Sequence, residues 1–149
     1  MSADLYPEFR HVDQVDLNGT LATMIVVRDD QDRFLIQIRD NYPHILKPGG
    51  FALFGGHIDP GEDPLTCAVR ELEEEIGVSV QPDDLQPHLL FSNPDDKGLT
   101  HFSFQLKRRI NPGHIVLGEG AGFVFLEPSQ LDAFPIVPSC RKVLADVTG

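Results

Sequence analysis

Short apolar, β-branched runs separated by polar turns dominate this chain, and few stretches place apolar residues at helical spacing. Leu21 to Arg28 is nearly all apolar, which predicts a central buried strand. A polar turn, Asp29 to Asp32, follows. Phe34 to Arg39 then reads as the returning strand of a hairpin. Asn41 to Gly50 is a loop with Pro43, Pro48 and Gly49-Gly50. Phe51 to Phe54 is a short strand ending in Gly55-Gly56, where the backbone can approach another group closely. His88–Ser92 and His101–Leu106 read as a second hairpin joined by the turn-rich Asn93–Gly98. In its second strand Phe102, Phe104 and Leu106 alternate with His101, Ser103 and Gln105, which predicts one buried face. Ile115–Leu117 and Phe123–Leu126 read as further strands, and Pro128–Asp132 as a helical turn. Residues 1–18 are mixed and polar, with Phe9, Val12 and Val15 marking a short edge strand or packed arm before the Asn18-Gly19 turn.

Two segments have helical character. In the first, Asp63 suits an N-cap, Pro64 the first helical position and Gly77 the C-terminal stop. Between them Leu65, Ala68 or Val69, Leu72 and Ile76 recur at helical spacing and form an apolar stripe. Ser139 to Val147 is the second, with Val143 and Leu144 facing inward. The order of strands, acidic helix, strands and terminal helix indicates an α+β fold with a mixed β-sheet covered by helices. No repeat or low-complexity linker interrupts the 149 residues, which reads as a single domain over 1–149.

Charge changes the picture in two ways. The formal net charge is −11, which argues against nucleic acid and anionic membranes as general partners. A phosphate-bearing ligand would therefore need bound metal or placed arginines and lysines. Lys107-Arg108-Arg109, at a strand end, is either ion-paired and solvated or in contact with such a phosphate. The N-terminus has no basic start and no apolar run, and no stretch reaches the length of a membrane span. Cys67 and Cys140 show no metal-ligand spacing, and Cys67 falls on the apolar side of the first helix. These features are expected of a cytoplasmic protein.

Charge is also concentrated. Glu71, Glu74 and Glu75 stand at i, i+3 and i+4, so three like charges converge beside the apolar stripe and repel one another. Two arrangements accommodate them. One is a solvated acidic face. The other is a divalent cation, for which all-oxygen ligation favours Mg²⁺ or Mn²⁺. Arg70, four residues before Glu74, can balance one charge.

The full stretch Gly56–Val78 resembles the Nudix box, G-x5-E-x7-R-E-U-x-E-E-x-G-U, where U is a bulky aliphatic residue. Gly56, Glu62, Arg70, Glu71, Leu72, Glu74, Glu75, Gly77 and Val78 fill every specified position without a gap. The match covers 23 of 149 residues. Just before it, Phe51 and Leu53-Phe54 depart mildly from the W-x-F-P-G-G form frequent in the family. The resemblance implies an α/β/α sandwich and a metal-dependent hydrolase cleaving the diphosphate bond of a nucleoside diphosphate linked to another moiety. Nucleotide sugars, ADP-ribose, dinucleoside polyphosphates and nucleoside triphosphates all remain open.

The resemblance also implies site residues. Glu71, Glu74 and Glu75 would bind Mg²⁺, or Mn²⁺, with the Gly56 carbonyl able to join the metal shell. Arg70 would orient the glutamates, and Glu71 or Glu74 could also act on the attacking water. Glu62 is expected to pair with Arg70 or cap rather than ligate. A base from outside the box is common in the family, and Glu119, flanked by Gly118 and Gly120, is the candidate beside an ordinary turn role. His57 and Arg39 are expected to bind substrate, and His101 to lie near a hairpin mouth. Family members are often dimers, which allows a homodimer here. Two other classes compete. A nucleotide-sensing module without turnover would be favoured by lost box carboxylates, and all are present. An isomerase on the same fold would need a catalytic cysteine, for which Cys67 and Cys140 are poorly placed.

Overall fold

The computed structural model describes residues 5–39, 50–93, 98–118 and 120–149. In chain order the elements are β1 (Arg10–His11), β2 (Leu21–Val26), β3 (Phe34–Ile38), β4 (Phe51–Ala52), α1 (Pro64–Ile76), β5 (Leu85–Asn93), β6 (Leu99–Leu106), β7 (Gly122–Leu126) and α2 (Pro138–Thr148). The strands form a mixed four-stranded sheet, β1-β5-β6-β2, and a three-stranded antiparallel sheet, β4-β3-β7. Isolated bridges Ile25–Phe54 and Ala22–His57 join β2 to the run that follows β4. The strands therefore form one layer with two ladders.

Alternation along the strands decides what covers each side. Ile25, Val27 and Leu35 point to a core that also holds Ala68, Leu72 and Ile76 of α1. Met24, Val26, Phe34 and Ile36 point to a second core with Cys140, Val143 and Leu144 of α2. Successive side chains on a strand face opposite ways, so a strand apolar at every position needs cover on both sides. Each helix supplies one side, which gives the expected α+β sandwich. No helix among the described residues is long and apolar enough to cross a membrane.

Three local expectations change. The β2–β3 hairpin persists only at its tip, where Leu35 N donates to Val27 O at 2.8 Å. Beyond it the strands part, because β2 pairs in parallel with β6 from Leu21–Thr100 to Val26–Gln105 while β3 joins β4 and β7. The tip is closed by Asp29, whose buried carboxylate accepts from the amides of Gln31 and Arg33 and from Arg33 Nε. Second, β6 is buried on both faces: His101 and Ser103 are as enclosed as Phe102 and Phe104. His101 packs on Phe91, with ring centroids 5.3 Å apart, and lies inside the sheet rather than at a hairpin mouth. Third, Ile115–Leu117 forms no strand; Val116 N instead donates to Ile76 O at 2.9 Å, capping the end of α1. The β5–β6 hairpin is present; residues 94–97 of its connection lie outside the described residues, as does most of the Asn41–Gly50 loop.

The N-terminal arm is a packed one. β1 runs parallel to β5, and Phe9 sits edge-on to Phe102 and Phe104. Arg10 and His88 both pair with Asp146 of α2, tying β1, β5 and α2 together. Arg10, and then His88, hold the Asp146 carboxyl below its ordinary 3.8. A depressed carboxyl stabilises the fold above its unfolded pKa and loses that contribution as pH falls through the folded value. The group is one-third exposed (34%), so solvent screening keeps the contribution at roughly 1 kcal/mol or less. We expect Asp146→Asn to lower urea-unfolding stability by that order at neutral pH, the gap from wild type closing as pH falls below 3.8. A gap that persisted in acid would assign the effect to packing instead.

Candidate active site

Helix α1 begins and ends where its local chemistry requires. Asp63 accepts from Thr66 N at 2.7 Å, Pro64 takes the first turn, and Gly77 closes the helix in the left-handed region at φ 69°. The apolar face formed by Cys67, Ala68, Leu72 and Ile76 is fully buried. That anchoring fixes the rotation of the helix about its axis, and with it the direction of every glutamate.

The three box glutamates do not share one environment. Glu71 and Glu75 are buried, at 9% and 1% exposure. Glu74 points outward, its side chain 58% exposed. Glu75 Oε1 accepts from Gly55 N at 3.0 Å. Glu71 leans against Gly56, where a Cβ would come within 2.3 Å of its Oε1. Gly55 is equally tight on its other side, since a Cβ there would meet Thr23 O at 2.1 Å. The glycine pair is thus a cradle in which backbone, β2 and two carboxylates meet with no room for a side chain.

Arg70 organises the charges. It grips Glu62 through two parallel bonds, Nε to Oε2 at 2.8 Å and Nη2 to Oε1 at 2.9 Å. Its Nη1 reaches Glu71 at 3.0 Å and Glu74 at 3.1 Å. Asp59 is 3.5 Å from Nη2. Glu62 also accepts from Asp59 N, so the loop closes on the arginine. The Arg70 hydrogen bonds, with that from the Asp59 amide, hold the Glu62 carboxyl down to about 2. Glu62, and then Glu71, push the Arg70 guanidinium further up. Behind it lies Cys67, whose thiol is pushed up to about 11 by burial. A buried neutral thiol of that kind is a poor nucleophile, which fits a packing role.

Other expected residues are less central. His57 is exposed at the rim, and its carbonyl accepts from Arg70 Nη2 at 3.4 Å. The Gly56 carbonyl faces β2, where it accepts from Thr23 N at 2.8 Å and from Thr23 Oγ1 at 3.4 Å, with the Cys67 thiol 3.8 Å away. Arg39 lies at the far end of the extended run, its amide donating to Gly50 O at 2.9 Å. Its Nε is buried without a hydrogen-bond partner among the described residues. Glu119 lies outside the described residues. Its neighbour Gly118 donates to Glu75 O at 2.7 Å. Gln37 was not anticipated as part of this region. It is buried at 5% exposure beside Gly120, and its signal in the sequence is a lone amide within Phe34-Leu-Ile-Gln-Ile.

The donor set suits a hard divalent cation, being carboxylate and carbonyl oxygen around a cradle with two buried glutamates. No three acidic, His or Cys side chains among the described residues converge into a closed cage. Mg²⁺ does not require one, because it usually keeps several waters and uses one or two carboxylates plus substrate phosphate.

A family model described as the NUDIX domain matches residues 19–147. This chain belongs to that family. Members of the family generally use divalent metals. A curated relative, the CMP-5'-(N-acetyl-N-hydroxy-3-aminopropyl)phosphonate hydrolase of Streptomyces rubellomurinus, is 36% identical over 103 residues. That match covers 69% of this chain and 43% of the relative, so the chain spans less than half the length of the relative. Among solved structures, the MutT NUDIX hydrolase of Burkholderia pseudomallei superposes with a TM-score of 0.71 at 18% identity, covering 86% of this chain and 97% of that one. The MutT protein of Methanosarcina mazei gives 0.68 at 17% identity, covering 88% and 95%. At such identities the structural likeness speaks for the Nudix fold.

Two outcomes test this geometry. In a carbon-detected NMR titration Glu62 should titrate near 2, and Arg70→Gln should return it toward 4.5, its ordinary value; an unchanged midpoint would remove Arg70 as the cause. The associated stabilisation is present above pH 4.5 and fades as pH falls toward 2. Gly55→Ala should destabilise the fold by about 1–3 kcal/mol in urea unfolding, since the added methyl meets backbone that cannot move aside.

Proposed function

We propose that this Nudix protein is a divalent-metal-dependent hydrolase that cleaves the diphosphate bond of a nucleoside 5'-diphosphate derivative, releasing a nucleoside monophosphate and a phosphorylated remainder. The observation that carries the reading is the complete set of box carboxylates, held together by Arg70 around the Gly55-Gly56 cradle. A CMP-linked phosphonate, named in the curated relative's activity, belongs to the same broad class of nucleoside monophosphates joined to a second phosphorus-bearing group. Nucleotide sugars, ADP-ribose and triphosphates share that chemistry.

Glu71 and Glu75, buried and adjacent to the cradle, would hold Mg²⁺ or Mn²⁺, with Glu74 and the Gly56 carbonyl as additional oxygens. Bound there, the cation would neutralise phosphate oxygens and lower the pKa of a coordinated water. Glu74 is exposed and oriented by Arg70, so its carboxylate can take a proton from the attacking water; Glu119 is the second candidate for that proton. The water oxygen bonds to phosphorus as the bridging P–O bond breaks, and the leaving phosphate departs with the bond's electron pair. Arg70 does not touch substrate in this scheme. It positions Glu71 and Glu74, and it keeps Glu62 from competing for the cation by occupying both its oxygens. Arg39, with a buried donor nitrogen left over, and His57, at the exposed rim, are the proposed substrate-binding residues.

The test is nucleoside monophosphate release across a panel of CMP-, UDP- and ADP-linked compounds and triphosphates, with Mg²⁺, with Mn²⁺ and with EDTA. Turnover of one class should require metal and fall by about 10²-fold or more in Glu74→Gln, the range for loss of a group active in proton transfer. Arg70→Gln should cost about 10–100-fold, as expected for a residue that orients ligands. Absence of turnover with nucleotide binding retained would replace this reading with a sensing module.

A further inference from the structure

A cavity of about 380 Å³ lies where α1 ends, lined by Gly77, Val78 and Ser79 on one side and by Arg108, Arg109, Ile110, Asn111 and His114 on the other. None of the box carboxylates lines it. Glu71 is about 9 Å back along the helix axis from Gly77, at a rise near 1.5 Å per residue. The lining carries two guanidinium groups and an imidazole, and no carboxylate. In a chain with 23 acidic and 12 basic residues, two guanidinium groups and an imidazole gather around this one concave space.

The arginines are held in place but not used up. Arg108 Nη2 donates to Ser79 O at 2.8 Å, bracing the wall opposite. Its nearest carboxylate, Asp84, is 4.0 Å away, at the limit of an ion pair. Arg109 spends Nε on Asp32 at 2.7 Å. Asp32 is 70% exposed, and an exposed pair of this kind contributes little against a better partner. Each guanidinium therefore has nitrogens that no hydrogen bond among the described residues engages. The negative end of α1 is also muted here. Its last carbonyls accept from backbone amides: Glu73 O from Gly77, Leu72 O from Val78, Ile76 O from Val116 and Glu75 O from Gly118.

We propose that this cavity is a second anion site, separate from the hydrolytic centre, that binds a small phosphomonoester. A guanidinium fork matches a tetrahedral phosphate through paired N–H donors, and Arg108 and Arg109 supply two such forks on one rim. The Asn111 amide and the His114 ring add further N–H donors. The volume falls within the range of small-molecule sites, about 300–1,000 Å³, and is larger than bare phosphate needs, which favours a phosphate carrying a further group. The occupant would rest against Gly77-Val78-Ser79, the segment that terminates the helix carrying Glu71, Glu74 and Glu75. Ser79 also donates to Glu73 at 3.3 Å. Occupancy at this end thus bears on the placement of the box helix without contact with the reacting phosphorus.

The experiment is an amide NMR titration of the wild-type protein in EDTA, where the hydrolytic centre has no cation with which to hold phosphate. Inorganic phosphate, ribose 5-phosphate and CMP are titrated separately. The amides of Gly77, Ser79, Asn111 and Gly113 should shift with saturation, and more tightly for the two phosphomonoesters than for inorganic phosphate. Calorimetry should show binding retained in Glu74→Gln and weakened at least tenfold in Arg108→Gln/Arg109→Gln. Shifts confined to Gly55, Gly56 and the first turns of α1, or no saturable shift, would overturn the proposal. So would equal affinity in wild type and the double variant, with folding of the variant confirmed by its amide spectrum. Equal saturation by sulfate would reduce the site to a nonspecific cationic pocket and overturn it likewise. Because the titration excludes metal and needs no turnover, its result is independent of the hydrolytic reading.

Discussion

One guanidinium holds the acidic centre of this protein together. Arg70 touches Glu62, Glu71 and Glu74 and lies 3.5 Å from Asp59. Without it, the loop before α1 and the helix itself would present a crowd of like charges with no internal counterion. Arginine suits the task because its planar fork offers several donors in fixed directions; a lysine would present one point charge. The bidentate grip on Glu62 ties the loop to the helix, and the remaining nitrogen aligns two of the three metal-site candidates. Where the partner is exposed, as Glu74 is, such pairs contribute little to stability. Their value lies in geometry, since they set where each carboxylate points before any ligand arrives.

The second constraint is packing. Cys67, Ala68, Leu72 and Ile76 press α1 onto the strand layer with no exposed surface, so the helix has one rotational setting. In that setting Glu75 meets the Gly55 amide and Glu71 meets Gly56, while Glu74 is left in solvent. The tight contact requires glycine at position 55, where a Cβ would collide with Thr23 backbone, and at Gly56 a Cβ would displace the Glu71 carboxylate. Core and site are therefore one problem: the apolar face of α1 positions the acidic face.

The net charge of −11 gives its few placed cations meaning. Arg70 serves the acidic centre, and Arg108 and Arg109 face a cavity without acids. A molecule that repels phosphate at long range has concentrated its attraction in small places.

The sequence alone determined the short-range features. Asp63, Pro64 and Gly77 marked the ends of α1 because caps act within one turn of the backbone. The box spacing singled out the carboxylates, Arg70 and Gly56 as candidates, the Gly55-Gly56 pair marked a close backbone approach, and the unbroken apolar run from Leu21 forecast a strand buried on both sides. Tertiary structure decided what depends on distant partners. The β2–β3 hairpin is cut short because β2 finds a longer parallel partner in β6, nearly eighty residues on. Ile115–Leu117 became a cap for α1 rather than a strand, and His101 became core because β6 is covered on both faces. The division of labour among Glu71, Glu74 and Glu75 was also invisible, since a spacing of three and four residues puts them on one side of a helix but does not say which of them the sheet will bury. Local hydrogen bonds are written in neighbouring residues; burial is set by whatever the whole chain brings alongside.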